Sequence, residues 1–304
     1  MLNDASVNNF PQTAHPPWLK QRVTAGTAAV LAIMNDLHLN TVCLSASCPN
    51  IGECLGSGTA TFLILGGVCT RNCRFCAVSK GQPEKLDPEE PGRLVRAVRK
   101  LGLRHVVITS VTRDDLSDGG AGQFARCIEK IREELTGVTI EVLVPDFCGN
   151  VEALDKVIKA VPEVFNHNVE TVPGLYPYVR PGADYERSLA VLYQAAASET
   201  CLVKTGLMLG LGEQEQEIIA SFDDLVEAGV RSLTLGQYLR PSAGHVPVAE
   251  YIRPERFRWF ANVAYERGFS QVAAGPLVRS SYHAGELYHG RKDPLTNENV
   301  VKIR

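Results

Sequence analysis

The strongest constraint on the fold is an alternation of apolar and amphipathic segments that begins near residue 60. Six short runs rich in Val, Ile, Leu and Thr predict strands: TATFLILGG, RHVVITSV, VTIEVLVPDF, EVFNHNVETV, CLVKTGLMLGL and RSLTLGQYL. Between them lie segments with apolar residues at helical spacing, such as PEEPGRLVRAVRKLGL and AGQFARCIEKIREEL. About six alternations of strand and helix indicate a parallel sheet with crossover helices.

The length of the alternating region narrows the architecture. A closed eightfold barrel typically takes about 250 residues, and fewer are available here. We therefore predict an α/β fold with a partial (β/α)6 TIM-like barrel, with a doubly wound open sheet as the alternative. We expect an N-terminal extension over residues 1–58, the barrel over 59–275 and a C-terminal segment over 276–304 that closes the active face. The polar residues beyond about Gly290 predict a poorly ordered tail.

Charge and hydropathy exclude several kinds of partner. A net charge of −3 in 304 residues provides no basic field for nucleic acid or an anionic membrane. The longest apolar run, residues 62–68, is far shorter than the roughly 20 residues that cross a bilayer. The N-terminus has no basic stretch followed by an apolar one, so no secretory signal is expected. We predict a cytoplasmic protein with no nucleic-acid or membrane partner.

The cysteines are unevenly distributed. Six of the nine fall between Cys43 and Cys76, while Cys127, Cys148 and Cys201 stand apart. An odd count without an export signal argues against a disulfide framework, and clustered free thiols indicate metal binding. Cys127 and Cys201 lie in apolar patterns and are predicted to be small core residues. Cys148 falls on a loop at the active face.

Two cysteine motifs each offer three thiolates. In CTRNCRFC, Cys69, Cys73 and Cys76 are spaced C-x3-C-x2-C directly after the first predicted strand, where such barrels keep their chemistry. Three thiolates can hold three corners of a cubane iron–sulfur cluster and leave the fourth iron open, whereas structural zinc takes four ligands. A zinc knuckle or chance spacing is the alternative.

The second motif, CLSASCPNIGEC, spaces Cys43, Cys48 and Cys54 as C-x4-C-x5-C. By the same reasoning it predicts a second iron–sulfur cluster with one vacant position. Its spacing is less specific than that of CTRNCRFC, and structural zinc is again the alternative.

The motifs together resemble a known family. CTRNCRFC, with an aromatic residue before its last cysteine, resembles the radical S-adenosylmethionine superfamily, in which the cofactor's amino and carboxylate groups chelate the open iron. Its pairing with CLSASCPNIGEC resembles the lipoyl synthase family, and the resemblance extends over most of the chain. It includes TSVTRDDLSDGGAGQFA, FNHNVETVPGLYPYVRPGADYERSL, KTGLMLGLGE, LGQYLRPSAGHVPV and VRSSYHAGE.

The resemblance implies a sulfurtransferase that inserts two sulfur atoms, at C6 and C8, into an octanoyl chain bound to a carrier lysine. The implied carriers are a lipoyl domain or the glycine-cleavage H protein, and the implied electron donor is reduced ferredoxin or flavodoxin. Two [4Fe-4S] clusters are implied, the auxiliary one consumed as the sulfur donor, with two S-adenosylmethionine molecules per turnover. A 5′-deoxyadenosyl radical would break C–H bonds that acid–base and nucleophilic chemistry leave intact.

Other functions remain as alternatives. Another radical sulfur-inserting enzyme is the nearest competitor. From a different class, a two-cluster electron carrier or a zinc-stabilised binding protein would need no open iron and no cavity.

The resemblance also supplies a fourth ligand for the second cluster. The family's RSSYxA motif spans Arg279 to Ala284 here and implies that Ser281 binds iron and leaves during catalysis. From chemistry alone, a lone cysteine or His283 ranks above a serine, because iron prefers thiolate or imidazole. A serine near the carboxyl end is expected to lift away as part of a tail without disturbing the barrel.

Polar residues near the predicted strand ends are candidates for binding the cofactor. Six are proposed: Thr109, Ser110, Glu141, Asn168, Lys204 and Arg180. Glu141 lies in an apolar strand, so it either binds a ribose or forms a salt bridge inside the barrel. Arg180 either meets a carboxylate or bridges to Asp184.

Three further patterns bear on the site and its partner. The polar run from Asn166 to Glu170 indicates that its strand lines a cavity, and the glycines after Lys204 suit close approach to an adenine. The cations from Arg93 to Lys100 predict a solvated helix face, with an acidic carrier protein as the alternative partner.

Overall fold

The computed structural model describes residues 16–19, 27–56 and 61–290. The predicted tail beyond Gly290 and the predicted boundary between residues 58 and 59 lie outside the described residues. In the described part, no helix has the length and apolarity needed to cross a membrane.

The described residues form ten strands: Asn40–Thr41 (β1), Thr61–Ile64 (β2), Val68–Cys69 (β3), Ser79–Lys80 (β4), His105–Ser110 (β5), Thr139–Leu143 (β6), Val164–Asn166 (β7), Leu202–Leu209 (β8), Ser232–Gln237 (β9) and Gln271–Gly275 (β10). The α-helices among them are Thr27–Asp36 (α1), Val42–Ser45 (α2), Ile51–Gly56 (α3), Glu90–Leu101 (α4), Ala121–Glu134 (α5), Val151–Lys159 (α6), Tyr176–Val179 (α7), Tyr185–Ala197 (α8), Glu215–Glu227 (α9), Pro254–Arg267 (α10) and Ala284–Tyr288 (α11). Short 3₁₀ turns cover Pro17–Leu19, Phe147–Gly149 and Pro173–Leu175.

The main sheet confirms the predicted α/β class. Its order is β1-β2-β5-β6-β7-β8-β9-β10; β1 pairs antiparallel with β2, and all later neighbours are parallel. The strands follow chain order without reversal, so the sheet winds in one direction. A doubly wound sheet reverses its order at a switch point, and this alternative is therefore wrong. Among the described residues, β10 does not pair with β2, so the barrel is partial.

The number of parallel strands exceeds the prediction by one. We expected six units, but β10 adds a seventh parallel strand beside β9, with Val272 opposite Leu233. The segment SQVAAG is short and rich in Ala and Gly, which gives little strand signal. The crossover helices follow conventional start signals, as in α8, where the Asp184 side chain accepts a hydrogen bond from the amide of Arg187.

The C-terminal segment runs from the carboxyl ends of the strands towards their amino ends. A Cβ on Gly236, near the end of β9, would lie 2.1 Å from the carbonyl oxygen of Val278. Farther along, a Cβ on Gly285 would lie 2.9 Å from the Cβ of His105, the first residue of β5. Both glycines therefore permit backbone approaches that a larger residue would obstruct.

Candidate active site

A cavity of about 480 Å³ opens at the carboxyl ends of the parallel strands. Five of the six clustered cysteines line it: Cys43, Cys48, Cys69, Cys73 and Cys76. Cys54 follows on α3, and Ser280 and Ser281 line the cavity from the C-terminal segment. One chamber therefore borders both cysteine motifs, which we call the loop triad (Cys69, Cys73, Cys76) and the auxiliary triad (Cys43, Cys48, Cys54).

The loop triad is fixed by backbone hydrogen bonds to neighbouring loops. The amide of Thr70 donates to the carbonyl of Thr112 at 3.0 Å, and the amide of Arg74 donates to the carbonyl of Val179 at 2.9 Å. Arg74 in turn accepts from the amide of Val246 at 3.0 Å. These bonds set the course of the loop without using its cysteine side chains, which stay available as ligands.

A turn between β2 and β3 delivers the chain to this loop. Leu65 has φ of 70° and Gly66 of 93°, a conformation that L-residues rarely adopt. The buried Glu90 carboxylate accepts from the Leu65 amide at 3.1 and 3.2 Å, and Arg113 donates to the Leu65 carbonyl at 3.2 Å. Burial raises the pKa of Glu90. The two side chains hold a strained turn that starts the cysteine loop.

Arg71 organises a buried charge network beside the loop triad that sequence reasoning missed. Its guanidinium donates to Asp114 at 2.8 and 2.9 Å and to Asp146 at 2.6 Å, while its amide donates to the Cys69 sulfur at 3.4 Å. Burial opposes ionisation of Asp146, but the hydrogen bond and charge of Arg71 lower its pKa to about 2. Cys148 joins the network through Asp114 at 3.0 Å and does not line the cavity.

The auxiliary triad is carried by two short helices outside the parallel strands. The Thr41 side chain caps α2 by accepting from the Cys43 amide at 3.2 Å, and the Cys48 amide donates to the Cys43 carbonyl at 3.0 Å. The Cys54 amide donates to the Asn50 carbonyl at 2.9 Å. Cys43 and Cys54 thus lie on the two helices, and Cys48 lies in the turn that joins them.

The C-terminal segment is bound directly to these helices. Asn50 donates to the carbonyl of Leu277 at 2.6 Å, and the Tyr282 hydroxyl donates to Glu53 at 2.9 Å. Ser281 stands between these two tethers and lines the cavity that Cys43 and Cys48 also line. The fold therefore brings Ser281 together with the auxiliary triad.

The expectation of a loose tail around Ser281 is wrong. Tyr282 and Ala284 are buried at 7% and 4% exposure, and α11 packs on β5 and β10. Any release of Ser281 therefore requires either a movement of its own side chain or rupture of the tethers. His283 does not line the cavity and faces Glu53 at 3.5 Å and Glu286 at 3.3 Å.

Four of the six proposed cofactor-binding residues line the cavity: Thr109, Ser110, Asn168 and Arg180. In the described part of the chain, buried side-chain polar atoms of three of them lack hydrogen-bond partners, namely the Ser110 hydroxyl, the Asn168 amide oxygen Oδ1 and the Arg180 Nε. Buried polar atoms are normally paired, so these atoms fit a polar ligand. Arg180 does not bridge to Asp184; it donates to the carbonyls of Asn168 and Val169 at 3.1 Å.

The structure places Glu141 and Lys204 elsewhere, in the barrel interior below the cavity. Lys204 donates to Glu141 at 2.9 Å, and Asn166 and His105 lie 3.2 and 3.4 Å from the same carboxylate. Neither Glu141 nor Lys204 lines the cavity. The salt bridge inside the barrel, the alternative for Glu141, is what the structure contains.

The polar residues of β7 and of the loop that follows it lie partly in the barrel interior and partly in the cavity wall. Asn166 faces Glu141, whereas His167, Asn168 and Glu170 line the cavity. Burial lowers the pKa of His167 to about 4, so its imidazole is neutral at pH 7. The predicted adenine approach after Lys204 is partly occupied by protein, since a Cβ on Gly210 would lie 2.3 Å from Gln237 and from the Glu250 carbonyl.

The remaining cysteines and cations fit structural roles. Cys127 is fully buried and Cys201 packs partly buried against the core, as predicted. On α4, Arg99 pairs with Glu134 and Lys100 with Asp36, both at 2.9 Å. These exposed pairs fit the predicted solvated face.

An iron–sulfur cluster and a zinc ion need different arrangements of thiols. Each thiolate of a four-iron cluster binds a different iron, whereas a zinc ion needs its ligands around a single point. Among the described residues, no three Cys, His, Asp or Glu side chains converge to hold one metal ion. Burial raises the pKa of Cys54 to about 12 and that of Cys76 to about 11, so these thiols need a bound cation to ionise at neutral pH.

The parallel sheet and its three-cysteine loop define a class of protein. The chain matches the family model of the radical SAM superfamily over residues 63–225 and belongs to that superfamily. It is 56% identical to the lipoyl synthase of Caldanaerobacter subterraneus, over 88% of this chain and 95% of that protein. It is 55% identical to the lipoyl synthase of Rubrobacter xylanophilus, over 89% of this chain and 85% of that protein. The chain is thus a member of the lipoyl synthase family of radical SAM enzymes, which confirms the predicted resemblance.

Solved structures share the fold at low sequence identity. The crystal structure of HydG, a maturase of the [FeFe]-hydrogenase, matches with a TM-score of 0.54 at 16% identity, over 88% of this chain and 70% of that one. SuiB of Streptococcus suis bound to S-adenosylmethionine matches at 0.53 and 11% identity, over 71% of this chain and 50% of that one. These likenesses support the partial-barrel architecture alone. Superfamily membership implies S-adenosylmethionine and one [4Fe-4S] cluster as cofactors.

Proposed function

We propose that this chain inserts sulfur at C6 and C8 of an octanoyl chain attached to a lysine of a lipoyl domain or glycine-cleavage H protein. The observation that carries the proposal is the single cavity bordered by the loop triad, the auxiliary triad and Ser281. A radical source and a sulfur donor must both reach the same alkyl chain, and one chamber between two ligand sets meets that need. An electron carrier has no use for such a chamber.

The loop triad holds the cluster that binds S-adenosylmethionine. Three thiolates leave one iron for the cofactor, and Ser110, Asn168 and Arg180 offer unpartnered buried polar atoms in the same cavity. Arg180 forms no salt bridge among the described residues, although the charge of Glu170 acts on it, so its guanidinium suits the cofactor's carboxylate. When bound here, S-adenosylmethionine and its cluster would supply a carbon-centred radical that takes hydrogen from an unactivated C–H bond, and the second cluster would supply sulfur.

The auxiliary triad and Ser281 hold the second cluster. Three cysteines leave one position without a thiolate, and the tethers at Asn50 and Glu53 bring Ser281 to that side of the cavity. A serine oxygen binds iron less strongly than a thiolate, which suits a ligand that must leave.

The rest of the cavity wall suits an alkyl substrate. Many lining residues are apolar: Val42, Leu63, Phe75, Val78, Val111, Leu143, Leu207, Met208 and Leu239. Apolar walls hold the chain by burying its methylene groups, at about 0.8 kcal/mol for each. They also exclude the water that would quench a reactive intermediate.

The proposal extends to the cellular setting. None of the nine cysteines forms a disulfide in the described part of the chain, which includes all of them. This suits the reducing cytoplasm, and reduced ferredoxin or flavodoxin would deliver the electrons. Two S-adenosylmethionine molecules would be used per product, one for each C–H bond.

Anaerobic incubation with an octanoyl-lysine peptide, S-adenosylmethionine and a strong reductant tests the function. Mass spectrometry should show a product that carries two sulfur atoms, with two 5′-deoxyadenosine molecules formed for each. Iron and sulfide analysis should give about eight of each per chain. Zinc without sulfide, or cofactor cleavage without sulfur insertion, would contradict the proposal.

A further inference from the structure

The charged side chains that line the cavity are unbalanced in sign. Five are cationic and one is anionic: Arg71, Lys80, Arg180, Arg240 and Arg279 against Glu170. Asp114 and Asp146 neutralise Arg71 from outside the cavity. The other four cations have no carboxylate within ion-pair distance in the described part of the chain. This positive concentration occurs in a chain whose net charge is −3.

The cations at the mouth of the cavity are accessible. Lys80 is exposed, and Arg240 donates to the backbone carbonyls of His245, at 2.9 Å, and Ala243. Beside them, Arg74 is exposed and lies over the ring of Tyr178 at 4.2 Å. Arg74 likewise has no acidic partner among the residues described. We call Arg74, Lys80 and Arg240 the basic rim.

Unlike the basic rim, several exposed cations elsewhere in the described part of the chain are neutralised by carboxylates. On the outer helices, Lys130 pairs with Glu134 at 3.2 Å and Lys159 pairs with Asp155 at 3.5 Å. Pairs of this kind neutralise many surface charges on the outer helices, whereas the basic rim has none within the described residues. An unneutralised patch at the entrance of a site attracts an oppositely charged partner.

An exposed aromatic side chain accompanies the basic rim. Tyr178, which stacks with Arg74, is 43% exposed. An exposed tyrosine beside an arginine is typical of a protein–protein interface.

From these observations we infer that the basic rim docks an acidic surface of the protein domain that presents the acylated lysine. The inference rests on the proposed function and goes beyond it by locating the docking surface. An acylated lysine is an uncharged amide, so charge recognition has to come from the carrier surface around it. Lys80 and Arg240 line the cavity that the acyl chain must enter, and Arg74 lies next to Cys73 on the loop of the loop triad, so the charge of the rim would orient the carrier there.

Charge reversal tests this inference on the complete enzyme. The Arg74→Glu/Lys80→Glu double variant should raise KM for an octanoylated lipoyl domain by roughly tenfold, since each exposed pair contributes up to about 1 kcal/mol. Its KM for a neutral octanoyl-lysine tripeptide should rise much less than its KM for the domain, because the tripeptide has no acidic surface. With the parent enzyme, added salt should raise KM for the domain and leave that for the tripeptide unchanged.

Two further variants isolate the cause. The Lys80 side chain forms no hydrogen bond or ion pair among the described residues. Lys80→Glu alone should therefore show a smaller rise in KM for the domain and an unchanged iron content. The matched control is Arg96→Glu on α4, another exposed cation without an ion pair among the described residues. It should leave both KM values unchanged. It also examines the alternative that the carrier binds the α4 face.

Fluorescence anisotropy of a labelled octanoylated lipoyl domain gives a readout that needs no turnover. Binding that weakens with salt and with the double variant would support docking even if no sulfur is inserted. Failure of the parent enzyme to convert the tripeptide would instead count against the proposed function. The inference is overturned if the double variant binds the domain as tightly as the parent, or if Arg96→Glu weakens binding equally.

Discussion

The two cysteine triads present the same number of thiols but are constructed in opposite ways. The loop triad lies within eight consecutive residues, and its loop is held by backbone bonds to Thr112, Val179 and Val246. The auxiliary triad lies on two short helices and the turn between them, outside the parallel strands, and its neighbourhood is completed by residues 227 to 229 positions away. One site is therefore a local motif fixed by the barrel, and the other is assembled by contacts between the two ends of the described chain.

The difference explains how each triad suits its proposed role. A site that repeatedly binds S-adenosylmethionine gains from a rigid frame that stays in place through the cycle. A site that gives up its sulfur and is rebuilt gains from ligands that can separate. Tethers from side chains such as Asn50 and Glu53 can break without disturbing the parallel sheet.

Removing one thiol from each triad should give the largest contrast. Cys73→Ala is expected to lower 5′-deoxyadenosine formation to background while iron at the auxiliary triad remains, because the cofactor's cluster loses a corner. Chromatography of the nucleoside and iron analysis would measure this. A Cys73→Ala enzyme that still cleaves S-adenosylmethionine would show that the loop triad is not the cofactor site.

Cys48→Ala should give the opposite result. The variant is expected to form 5′-deoxyadenosine with the octanoyl peptide but to insert no sulfur, because radical formation does not need the auxiliary triad. In the parent enzyme, isotopic sulfur placed in the clusters should appear in the product by mass spectrometry. A product that draws both sulfur atoms from free sulfide would contradict the donor role.

Ser281 should have the next largest effect, confined to the auxiliary side. Ser281→Ala is expected to keep iron and cofactor cleavage but to reduce sulfur insertion by about 100-fold, at the upper end for altered metal sites. Ser281→Cys should bind iron well and turn over poorly, because a thiolate resists release. Ser280→Ala is the matched control, since Ser280 also lines the cavity. Equal losses in the two alanine variants would remove the special role of Ser281.

The two triads also differ in how far the sequence predicted them. Spacing alone indicated the loop triad, because all its ligands lie on one loop. Ser281 came only from the family resemblance, since no local pattern reports a contact with residues 50–54. The Arg71–Asp146 pair was missed because it joins loops 75 positions apart.

The fold was predicted more completely than the cavity wall, for a geometric reason. Leu143 lines the cavity, and Glu141 lies two residues earlier on the same face of β6, which places it about 7 Å deeper. Lys204 stands in the same relation to Gly206 on β8. Strand register would have placed Glu141 and Lys204 below the cavity, but the sequence did not show where each strand ends.

The tether beside Ser281 should matter less than Ser281 itself. Tyr282→Phe removes the hydroxyl that donates to Glu53 at 2.9 Å but keeps the buried ring. Sulfur insertion should fall by about tenfold, at the lower end for residues that orient a metal ligand, with cofactor cleavage unchanged. The spectroscopic signature of the auxiliary cluster should broaden as Ser281 loses its fixed position. Tyr288→Phe is a control at a more distant tyrosine of the same segment. Unaltered insertion in Tyr282→Phe would show that the tether does not position Ser281.

Substitutions in the buried Glu141–Lys204 pair below the cavity should have the smallest effect on either triad. They should change the stability of the fold instead. Burial opposes ionisation of Glu141, but Lys204 and His105 lower its pKa from 4.5 to about 2. A lowered carboxyl pKa contributes stability above the unfolded value near 4.5, and the contribution is lost as the pH falls towards 2.

In urea unfolding of the iron-free chain, Glu141→Gln should lower the free energy of unfolding by about 3 kcal/mol near pH 7, because it leaves the Lys204 charge buried and unpaired. The difference from the parent should narrow as the pH falls below about 4.5. The Glu141→Gln/Lys204→Met double variant should recover part of the loss near pH 7. Reconstituted Glu141→Gln enzyme should cleave S-adenosylmethionine and insert sulfur at nearly the parent rates. A selective loss of cofactor binding would instead return Glu141 to the cofactor site.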